Sequence, residues 1–379
     1  MAYLISEEGR ELLSDVKRFC ESRMKTQCRS WDETGEWPAE CIEAAMELGY
    51  HTFDIPEEFG GPGISRVDTA ALMEEIAMAD AGFAVTLSAS GLGLRPVLLA
   101  GSREQKKHCC GRILDGGLAA FCMTEPQAGS DAAAGTATAV KEGGFYVLNG
   151  TKCFITNGSK ASFYTVTAKT DQNAGAAGIS MFLVDADTPG VKTGTSENKM
   201  GIRSSDTCEV VFEDCRIPEE NRIGAEGEGF SIAMRTLDEG RAWMACIAAG
   251  IAQRGIDEAV AYGKVRRQFG HPLVRQQALR YKLADMAVKT ETARQMTAHA
   301  LTRLDLGEDC RAEAAIAKCY ASDIAMEVAS EAIQIFGGCG YSREYPVEKL
   351  LRDAKIFQIF EGTNEILRTV IAGRVIGEK

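Results

Sequence analysis

The spacing of the apolar residues changes twice along the chain, and this change constrains the fold more than any other feature. Up to about residue 118, apolar side chains recur at three- and four-residue intervals, as in Leu12, Val16 and Phe19, which predicts amphipathic helices. From about 119 to 225, short β-rich runs alternate with Gly, Asn and Pro, which predicts strands. Ala-rich helical stripes then return. The sequence therefore predicts three domains, over residues 1–118, 119–225 and 226–379.

Local signals place several elements within these zones. Ser6, followed by Glu7 and Glu8, is a suitable helix cap with acidic residues in the first turn. Asn149-Gly150 lies between two β-rich runs, and this dipeptide favours a two-residue hairpin turn. Strands of this spacing are typical of a small β-sandwich or barrel. The expected helices cover 38–48, 68–79, 82–99, 248–262 and 314–336, and further strands cover 163–168, 179–184 and 209–212.

Composition argues against several classes of protein. Hydrophobic residues make up 45% and charged residues 25% of the chain, which indicates a folded globular protein rather than a disordered one. The net charge of −12 provides no global basic surface for nucleic acid, although a local basic groove is still possible. The first residues show no signal-peptide pattern, and no run of 18 apolar residues occurs, so we expect no membrane span.

The cysteines and histidines suggest neither disulfides nor a metal. The 13 cysteines are scattered and contain no Cys-x-x-Cys pair, which is typical of reduced thiols in the cytoplasm. The four histidines are too dispersed for a local metal motif, so we expect no metal site.

Common nucleotide and nucleophile motifs are absent or incomplete. Gly227-x-Gly229 lacks the third glycine of a dinucleotide-binding turn and follows a loop rather than a buried strand. It is more typical of a turn that opens a helix. Neither a G-x-x-x-x-G-K-[ST] phosphate loop nor a G-x-S-x-G nucleophile turn occurs. A nucleotide-hydrolysing or serine-hydrolase function therefore has no support in the sequence.

Three segments carry candidate chemistry. Residues 121–131 run from a strand into a Gly/Ser turn that can hold a pyrophosphate or a flavin edge, or can be a plain turn. Residues 152–158 place aromatic and β-branched side chains beside a hydroxyl, which suits stacking on a planar ring or ordinary strand packing. Glu361 follows an apolar run, and apolar surroundings raise the pKa of a carboxyl toward that of a useful base. Alternatively, Glu361 merely precedes the helix that Thr363 caps.

Six motifs that include these segments occur in one order along the chain. Together, across a helix–strand–helix layout, they resemble the acyl-CoA dehydrogenase family over almost the whole chain, in its short- and medium-chain, butyryl-CoA dehydrogenase-like form. The motifs are Thr124-Glu125-Pro126-x-Ala128-Gly129-Ser130-Asp131, Lys152-x-Phe154-Ile155-Thr156-Asn157-Gly158, Gly201-x-Arg203-x-Ser205, Arg266-x-x-Phe269-Gly270 followed by Gln277, Gln334-x-x-Gly337-Gly338-x-Gly340-Tyr341, and Arg352-Asp353 followed by Ile359-Phe360-Glu361-Gly362-Thr363.

The resemblance implies an α+β fold with an N-terminal helical domain, a central β-barrel or sandwich and a C-terminal four-helix bundle. It implies FAD as cofactor and oxidation of an acyl-CoA thioester to the trans-2-enoyl-CoA in fatty acid metabolism. An electron-transferring flavoprotein is the implied electron acceptor, and a cytoplasmic homotetramer built as a dimer of dimers is expected. Neither nucleic acid nor a membrane is an expected partner. The alternatives are the reverse reaction as an enoyl-CoA or aryl-acryloyl-CoA reductase, an acyl-CoA oxidase and a non-catalytic scaffold.

The resemblance also implies roles for single residues. Glu361 matches the catalytic base that removes the α-proton, and its backbone N–H matches a donor to the thioester oxygen. The implied substrate contacts are Ser130, Asp238, Arg241, Glu361 and Gly362. The implied FAD contacts within one subunit are Phe121, Met123, Thr124, Gly129, Ser130, Phe154, Ile155, Thr156, Thr363 and Glu365, and those to the FAD of a neighbouring subunit are Arg266, Gln268, Phe269, Gln277, Gln334, Gly337 and Gly338.

One departure tests the assignment of the base. Some branches of the family carry the base one residue before the position of Arg241, where this chain has Gly240, which cannot act. Glu239 is adjacent, but one residue turns about 100° around a helix, so we expect its side chain to point elsewhere. The base therefore stays with Glu361. The length of the chain favours short or medium acyl groups, and residues 82–94 and 243–249 are expected to set the depth of the pocket.

Overall fold

The computed structural model describes residues 3–377. Its first part is helical, as predicted, with α1 (Glu7–Phe19), a π-helical turn (Cys20–Met24), α2 (Cys28–Thr34), α3 (Ala39–Glu47), α4 (Arg66–Ala79), α5 (Ala81–Ala100) and α6 (Arg103–Leu114). The predicted cap at Ser6 is confirmed, because its Oγ accepts a hydrogen bond from the Gly9 N–H (2.9 Å). The Asp68 carboxylate accepts from the Ser6 N–H (2.9 Å) and hydroxyl (2.8 Å), which ties α1 to α4.

Helix α5 is the central helix of this part. Asp80 caps it by accepting a hydrogen bond from the Phe83 N–H (2.9 Å). Within residues 3–377, α5 alone has the length and apolar composition that crossing a membrane requires, but 72% of its most apolar window is buried inside the protein. A helix that is apolar on all sides and buried in this way is a core helix. It separates the N-terminal helices from the strands that follow.

The strands of the middle part form one mixed sheet. They are β1 (Leu118–Cys122), β2 (Thr138–Glu142), β3 (Phe145–Thr156), β4 (Ala161–Lys169), β5 (Ile179–Asp185), β6 (Val191–Thr193), β7 (Thr207–Pro218) and β8 (Arg222–Ile223). The order across the sheet is β6-β7-β3-β2-β4-β5-β8, and β1 pairs in parallel with β4. Two further short strands, β9 (Arg267–Gln268) and β10 (His271–Pro272), pair with each other only.

Alternate residues of these strands belong to two separate apolar cores. Tyr164 and Phe182 pack into a core within the strand domain. Their neighbours Phe163 and Met181 pack into a second core together with Leu94 of α5. Since successive side chains of a strand point to opposite faces, the period of two creates both cores at once. The second core holds the sheet against the helices and brings the ends of β1 and β3 close to them.

The predicted hairpin at Asn149-Gly150 is wrong, because β3 continues through both residues. The register with β7 shifts there, which makes a bulge. The side chain of Asn149 accepts from the Asp214 N–H (2.8 Å) and donates to the Asp214 carboxylate (3.1 Å). A Cβ on Gly150 would lie 2.5 Å from the Cβ of Ala137, so a close contact requires glycine. The turn itself lies at 143–144, between β2 and β3.

Helices return after the sheet, as predicted. They are α7 (Gly229–Val265), α8 (Gln277–Asp305), α9 (Arg311–Phe336), α10 (Val347–Phe357) and α11 (Asn364–Ile376). The long helices α7, α8 and α9 pack side by side, and small buried residues such as Ala248, Ala252 and Ala325 let them approach closely. At one end of the pair α7–α9, the rings of Tyr262 and Phe336 stack with their centroids 4.1 Å apart.

Helix α10 is anchored to both other parts of the chain. Arg352 donates two hydrogen bonds to the Asp32 carboxylate, of 2.6 and 2.9 Å, and so reaches α2. Asp353 accepts from the Ile202 N–H (2.6 Å) in the loop between β6 and β7. Because α10 leads directly into residues 358–363, these bonds also fix the position of that turn.

Candidate active site

A cavity of about 310 Å³ lies where the three parts of the chain meet. Residues of α5 and α7, the segments that follow β1, the end of β3 and the turn between α10 and α11 form its walls, mainly with apolar side chains. Of the predicted site residues, the structure brings together in this wall Phe121, Met123, Thr124, Gly129, Ser130, Phe154, Ile155, Thr156, Arg241, Glu361 and Gly362. These residues are up to 241 positions apart in sequence, from Phe121 to Gly362.

Glu361 lies in a turn with an uncommon backbone. Its φ is +53° and that of Gly362 is +96°, so two successive residues are left-handed. A left-handed residue other than glycine costs roughly 1–3 kcal/mol and needs support from its surroundings. The predicted cap at Thr363 is confirmed, because its Oγ1 accepts from the Ile366 N–H (3.3 Å) and starts α11. The turn thus places the Glu361 side chain in the wall of the cavity.

The carboxyl group of Glu361 lies against α7 at Gly240. A Cβ on Gly240 would lie 2.6 Å from Oε2 of Glu361 and 3.0 Å from a methyl carbon of Leu92. Any side chain at position 240 would therefore displace the carboxyl group. The expected direction of Glu239 is confirmed, because its carboxylate faces Arg95 (3.3 Å) and Arg66 (3.9 Å) instead. Within residues 3–377, Glu361 is thus the carboxylate that the structure presents at this point of α7.

Burial governs the protonation of Glu361. The residue is half-buried, but its Oε2 is fully buried and has no hydrogen-bond partner among the described residues. Loss of water raises the pKa of the carboxyl group to about 7, and the positive charges of Lys318 and Arg241 limit this rise. A carboxyl with this pKa is ionised in about half of the molecules at neutral pH, as a general base requires.

Arg241 is fixed beside the turn rather than free in the cavity. Its Nε donates to the carbonyl of Glu361 (3.3 Å), and its Nη1 pairs with the Asp238 carboxylate. Asp238 also pairs with Arg311 (3.3 Å). Asp238, predicted to contact substrate, does not line the cavity, because it lies behind Arg241 and neutralises it.

A second wall of the cavity is held by a buried ion pair. The Lys152 ammonium donates to the Glu125 carboxylate (2.8 Å) and to the Met123 carbonyl (3.1 Å), and both charged side chains are buried. Glu125 also accepts from the Thr136 N–H (2.6 Å). The pair therefore fixes the backbone of residues 123–125 from the side of the strand that carries Lys152. The sequence contained both residues within motifs, but no local signal showed that they meet.

Phe154 is an exposed aromatic side chain in this wall. It is 66% exposed, although it lies next to the buried Cys153 and Ile155. Its φ of +56° turns the side chain out of the strand pattern. A Cβ on Gly129 would have no atom within 4 Å, so the turn at 124–131 is open on the side of that glycine. Open backbone next to an exposed ring suits a planar ligand.

The remaining predicted residues lie outside the cavity. Thr363 and Glu365 line a separate cleft with Asp323 and Arg368. The residues predicted to contact the FAD of a neighbouring subunit lie near the end of α7 and α9 where Tyr262 and Phe336 stack. One of them, Phe269, is 91% exposed. This set is Arg266, Gln268, Phe269, Gln277, Gln334, Gly337 and Gly338, and the structure does not bring it to the cavity.

Three family models match the chain in order along its length. Residues 6–117 match the acyl-CoA dehydrogenase N-terminal domain, 120–215 the middle domain and 227–376 the C-terminal domain. The probable acyl-CoA dehydrogenase FadE25 of Mycobacterium tuberculosis is 42% identical over 372 residues, which cover 98% of this chain and 96% of that protein.

Two solved structures match the fold closely. The butyryl-CoA dehydrogenase of Megasphaera elsdenii gives a TM-score of 0.96 at 41% identity, covering 99% of this chain and 100% of that one. A chain in the structure described as the electron transferring flavoprotein of Acidaminococcus fermentans gives a TM-score of 0.96 at 42% identity, with the same coverage.

Proposed function

The chain belongs to the acyl-CoA dehydrogenase family of oxidoreductases, and we propose that it converts an acyl-CoA thioester to the trans-2-enoyl-CoA with Glu361 as the base. The observation that carries this proposal is the Glu361 carboxyl group, which lines an apolar cavity with its Oε2 buried and unbonded among the described residues. A burial of this kind is costly for a structural residue and useful for a base.

Removal of the α-proton is the step that the chain itself performs. The proton passes from Cα of the thioester to a carboxylate oxygen of Glu361, and the electron pair of the broken bond moves toward the thioester oxygen. We assign the backbone N–H of Glu361 as a donor to that oxygen, since a fixed donor stabilises charge that develops there. FAD would be held by residues in the wall of this cavity and would supply the acceptor for the β-hydrogen, which leaves as hydride.

We propose that the cavity takes the flavin ring as well as the thioester. The exposed Phe154 ring and the turn at 124–131, which is open at Gly129, support this because both lie in the wall of the cavity. The Lys152–Glu125 pair keeps that turn in place. The residues that we propose to hold FAD here are Phe121, Met123, Thr124, Gly129, Ser130, Phe154, Ile155 and Thr156, with Thr363 and Glu365 at the cleft nearby. We propose Ser130, Arg241 and Gly362, with Asp238 behind Arg241, as the substrate side.

A second copy of the chain supplies the rest of the cofactor site in this proposal. The 91% exposure of Phe269 is unusual for a large apolar side chain, and a partner subunit would cover it. A Cβ on Gly270, Gly337 or Gly338 would meet no atom within 4 Å, so the surface there has room for a ligand. We propose that this surface contacts the FAD of a neighbouring subunit in a cytoplasmic homotetramer.

The partner and the direction of the reaction are part of the proposal. One of the two matched chains comes from a structure that is described as an electron transferring flavoprotein. This supports a protein of that type as the electron acceptor. A pKa of about 7 lets Glu361 give up a proton as readily as it takes one, so reduction of an enoyl-CoA or aryl-acryloyl-CoA by the same site is the alternative direction.

One experiment tests these points together. The purified protein is mixed anaerobically with saturated acyl-CoA thioesters of increasing length, and the absorbance of bound flavin is followed. We expect at least one thioester to bleach the flavin and an electron-transferring flavoprotein to restore its colour. Fast recolouring by air alone would instead make the protein an oxidase. A colourless protein that does not bind added FAD would overturn the proposal and favour a non-catalytic scaffold.

A further inference from the structure

Lys318 of α9 carries a buried ammonium group next to the turn that holds Glu361. Its side chain is 0% exposed. The Nζ atom donates to the Gly362 carbonyl (2.8 Å) and to Oδ1 of Asn364 (3.1 Å). Both acceptors are neutral, so these bonds use two of the three ammonium donors of Lys318 without balancing its charge. A buried charge in such a position is costly to keep and is therefore a candidate for a role in function.

The two bonds of Lys318 hold the turn on the side that follows Glu361. Gly362 comes directly after Glu361, and Asn364 is the first residue of α11. Asn364 is held in addition by Ser322 (2.9 Å) and by the Asp323 carboxylate (2.8 Å) of α9. Because two successive residues of the turn are left-handed, this anchoring keeps a backbone in place that would otherwise relax.

Two cations from neighbouring helices donate hydrogen bonds to the backbone of the Glu361–Gly362 turn. Arg241 of α7 is one, and its charge is balanced by its own partner Asp238, which also contacts Arg311 (3.3 Å). Lys318 of α9 is the other, and its bonds go to neutral oxygens. Of the two charges, that of Lys318 is therefore the less compensated.

The other titratable groups on α9 do not reverse this balance. Asp323 pairs with Arg368 (2.7 Å), and burial raises the pKa of Cys319, which keeps that thiol neutral. Burial lowers the pKa of Lys318 to about 8, and the charge of Glu361 is the largest effect that opposes the decrease. The two groups thus stabilise each other's charged form.

We propose that Lys318 is a positioning residue for Glu361: it anchors the Glu361–Gly362 turn to α9, and its charge stabilises the carboxylate form of the base. The role in catalysis rests on the proposed function, whereas the effect on the ionisation of Glu361 does not. The two parts are separable, since a glutamine keeps an uncharged N–H donor at this position, whereas a methionine keeps neither a donor nor a charge.

The test compares Lys318→Gln, Lys318→Met and Lys318→Arg in the FAD-loaded protein. Two readouts are followed against pH: the rate of flavin bleaching by an acyl-CoA, and the infrared band of the protonated Glu361 carboxyl group. That band is identified by its loss in Glu361→Gln. Lys192→Gln, which removes an exposed lysine paired with Glu213, is the matched control.

We expect the midpoint of the Glu361 titration to rise by about one pH unit in Lys318→Gln and Lys318→Met, as for loss of an opposite charge nearby. Lys318→Arg keeps the wild-type midpoint, and so does Lys192→Gln. Lys318→Met alone also slows bleaching at high pH, by about tenfold, because the turn has lost its anchor.

An unchanged midpoint in Lys318→Gln would overturn the inference, as would equal shifts in the Gln and Arg variants. The failure of the proposed function looks different. If no acyl-CoA bleaches the wild-type flavin while the infrared midpoint still shifts in Lys318→Gln, the proposed function is wrong. The effect of Lys318 on Glu361 is then still supported. If acyl-CoA bleaches the wild-type flavin but the variants at Lys318 change neither the bleaching rate nor the infrared midpoint, only the inference about Lys318 is wrong.

Discussion

The Oε2 atom of Glu361 lies so close to Gly240 of α7 that a Cβ atom at that position would come within 2.6 Å of it. We therefore expect Gly240→Ala to push the carboxyl group out of line. A misplacement of about 1 Å near reacting atoms can reduce rates by about 100-fold, so flavin bleaching should slow by 10- to 100-fold. Stopped-flow absorbance measures the rate, and the flavin content of the purified variant shows whether the cofactor site is intact.

Gly255→Ala is the matched control for this change. It lies on the same helix, but the nearest atom to its Cβ would be 3.4 Å away, which is an ordinary contact. Alanine favours a helix over glycine by about 1 kcal/mol, so this variant should be as stable as the wild type or more so, with the wild-type rate. Equal rates in the two variants would mean that Gly240 does not make room for Glu361.

The rate of bleaching should depend on pH through Glu361. Its pKa is raised to about 7, so the carboxyl group is protonated below that pH and cannot accept a proton. The rate should therefore fall about tenfold for each pH unit below 7 and level off above it. Single-turnover mixing over a pH series, with a non-oxidisable thioester as a control for binding, gives the midpoint. A profile that is flat from about pH 5 to 8 would contradict this assignment.

Structural features that depend only on residues adjacent in sequence could be predicted from the sequence. The caps at Ser6 and Thr363 rest on side-chain hydrogen bonds to the first helical turn, and the start of α7 at Gly229 follows a glycine turn. The structure has all three. The hairpin predicted at Asn149-Gly150 was wrong because the conformation of this dipeptide depends on residues outside its own strand. Asp214 and Ala137 make it a bulge, and neither lies within the window that a turn rule considers.

The site was predictable in its parts but not in its arrangement. Glu361 could be chosen by resemblance and by the apolar run before it, whereas its contact with Gly240 depends on how α7 meets the last turn. Lys318 was missed because a lysine in a helix is usually solvated. The available signal was that it lies among Ala314, Ala317 and Ala321 on the buried side of α9.

Glu361→Gln should retain FAD and lose most of its activity. The amide has nearly the shape of the carboxyl group but cannot take up a proton, so bleaching at pH 7 and above should slow by at least about 100-fold. Flavin absorbance and bound acyl-CoA, measured by equilibrium dialysis, should remain close to those of the wild type. Retention of the wild-type rate would remove Glu361 from the role of base.

Lys152→Met should destabilise the protein and weaken FAD binding together. The Lys152–Glu125 pair is almost fully buried, with side-chain exposures of 1% and 4%, and it holds the Met123 carbonyl in the turn beside the cavity. Removing one partner of a buried pair leaves an uncompensated charge and costs about 3–5 kcal/mol. Denaturant unfolding measures this loss, and titration with FAD measures the weaker binding. Lys141→Met, which breaks an exposed pair with Glu219, should change neither quantity. If Lys152→Met unfolds at the same denaturant concentration as Lys141→Met, the pair does not support this wall of the site.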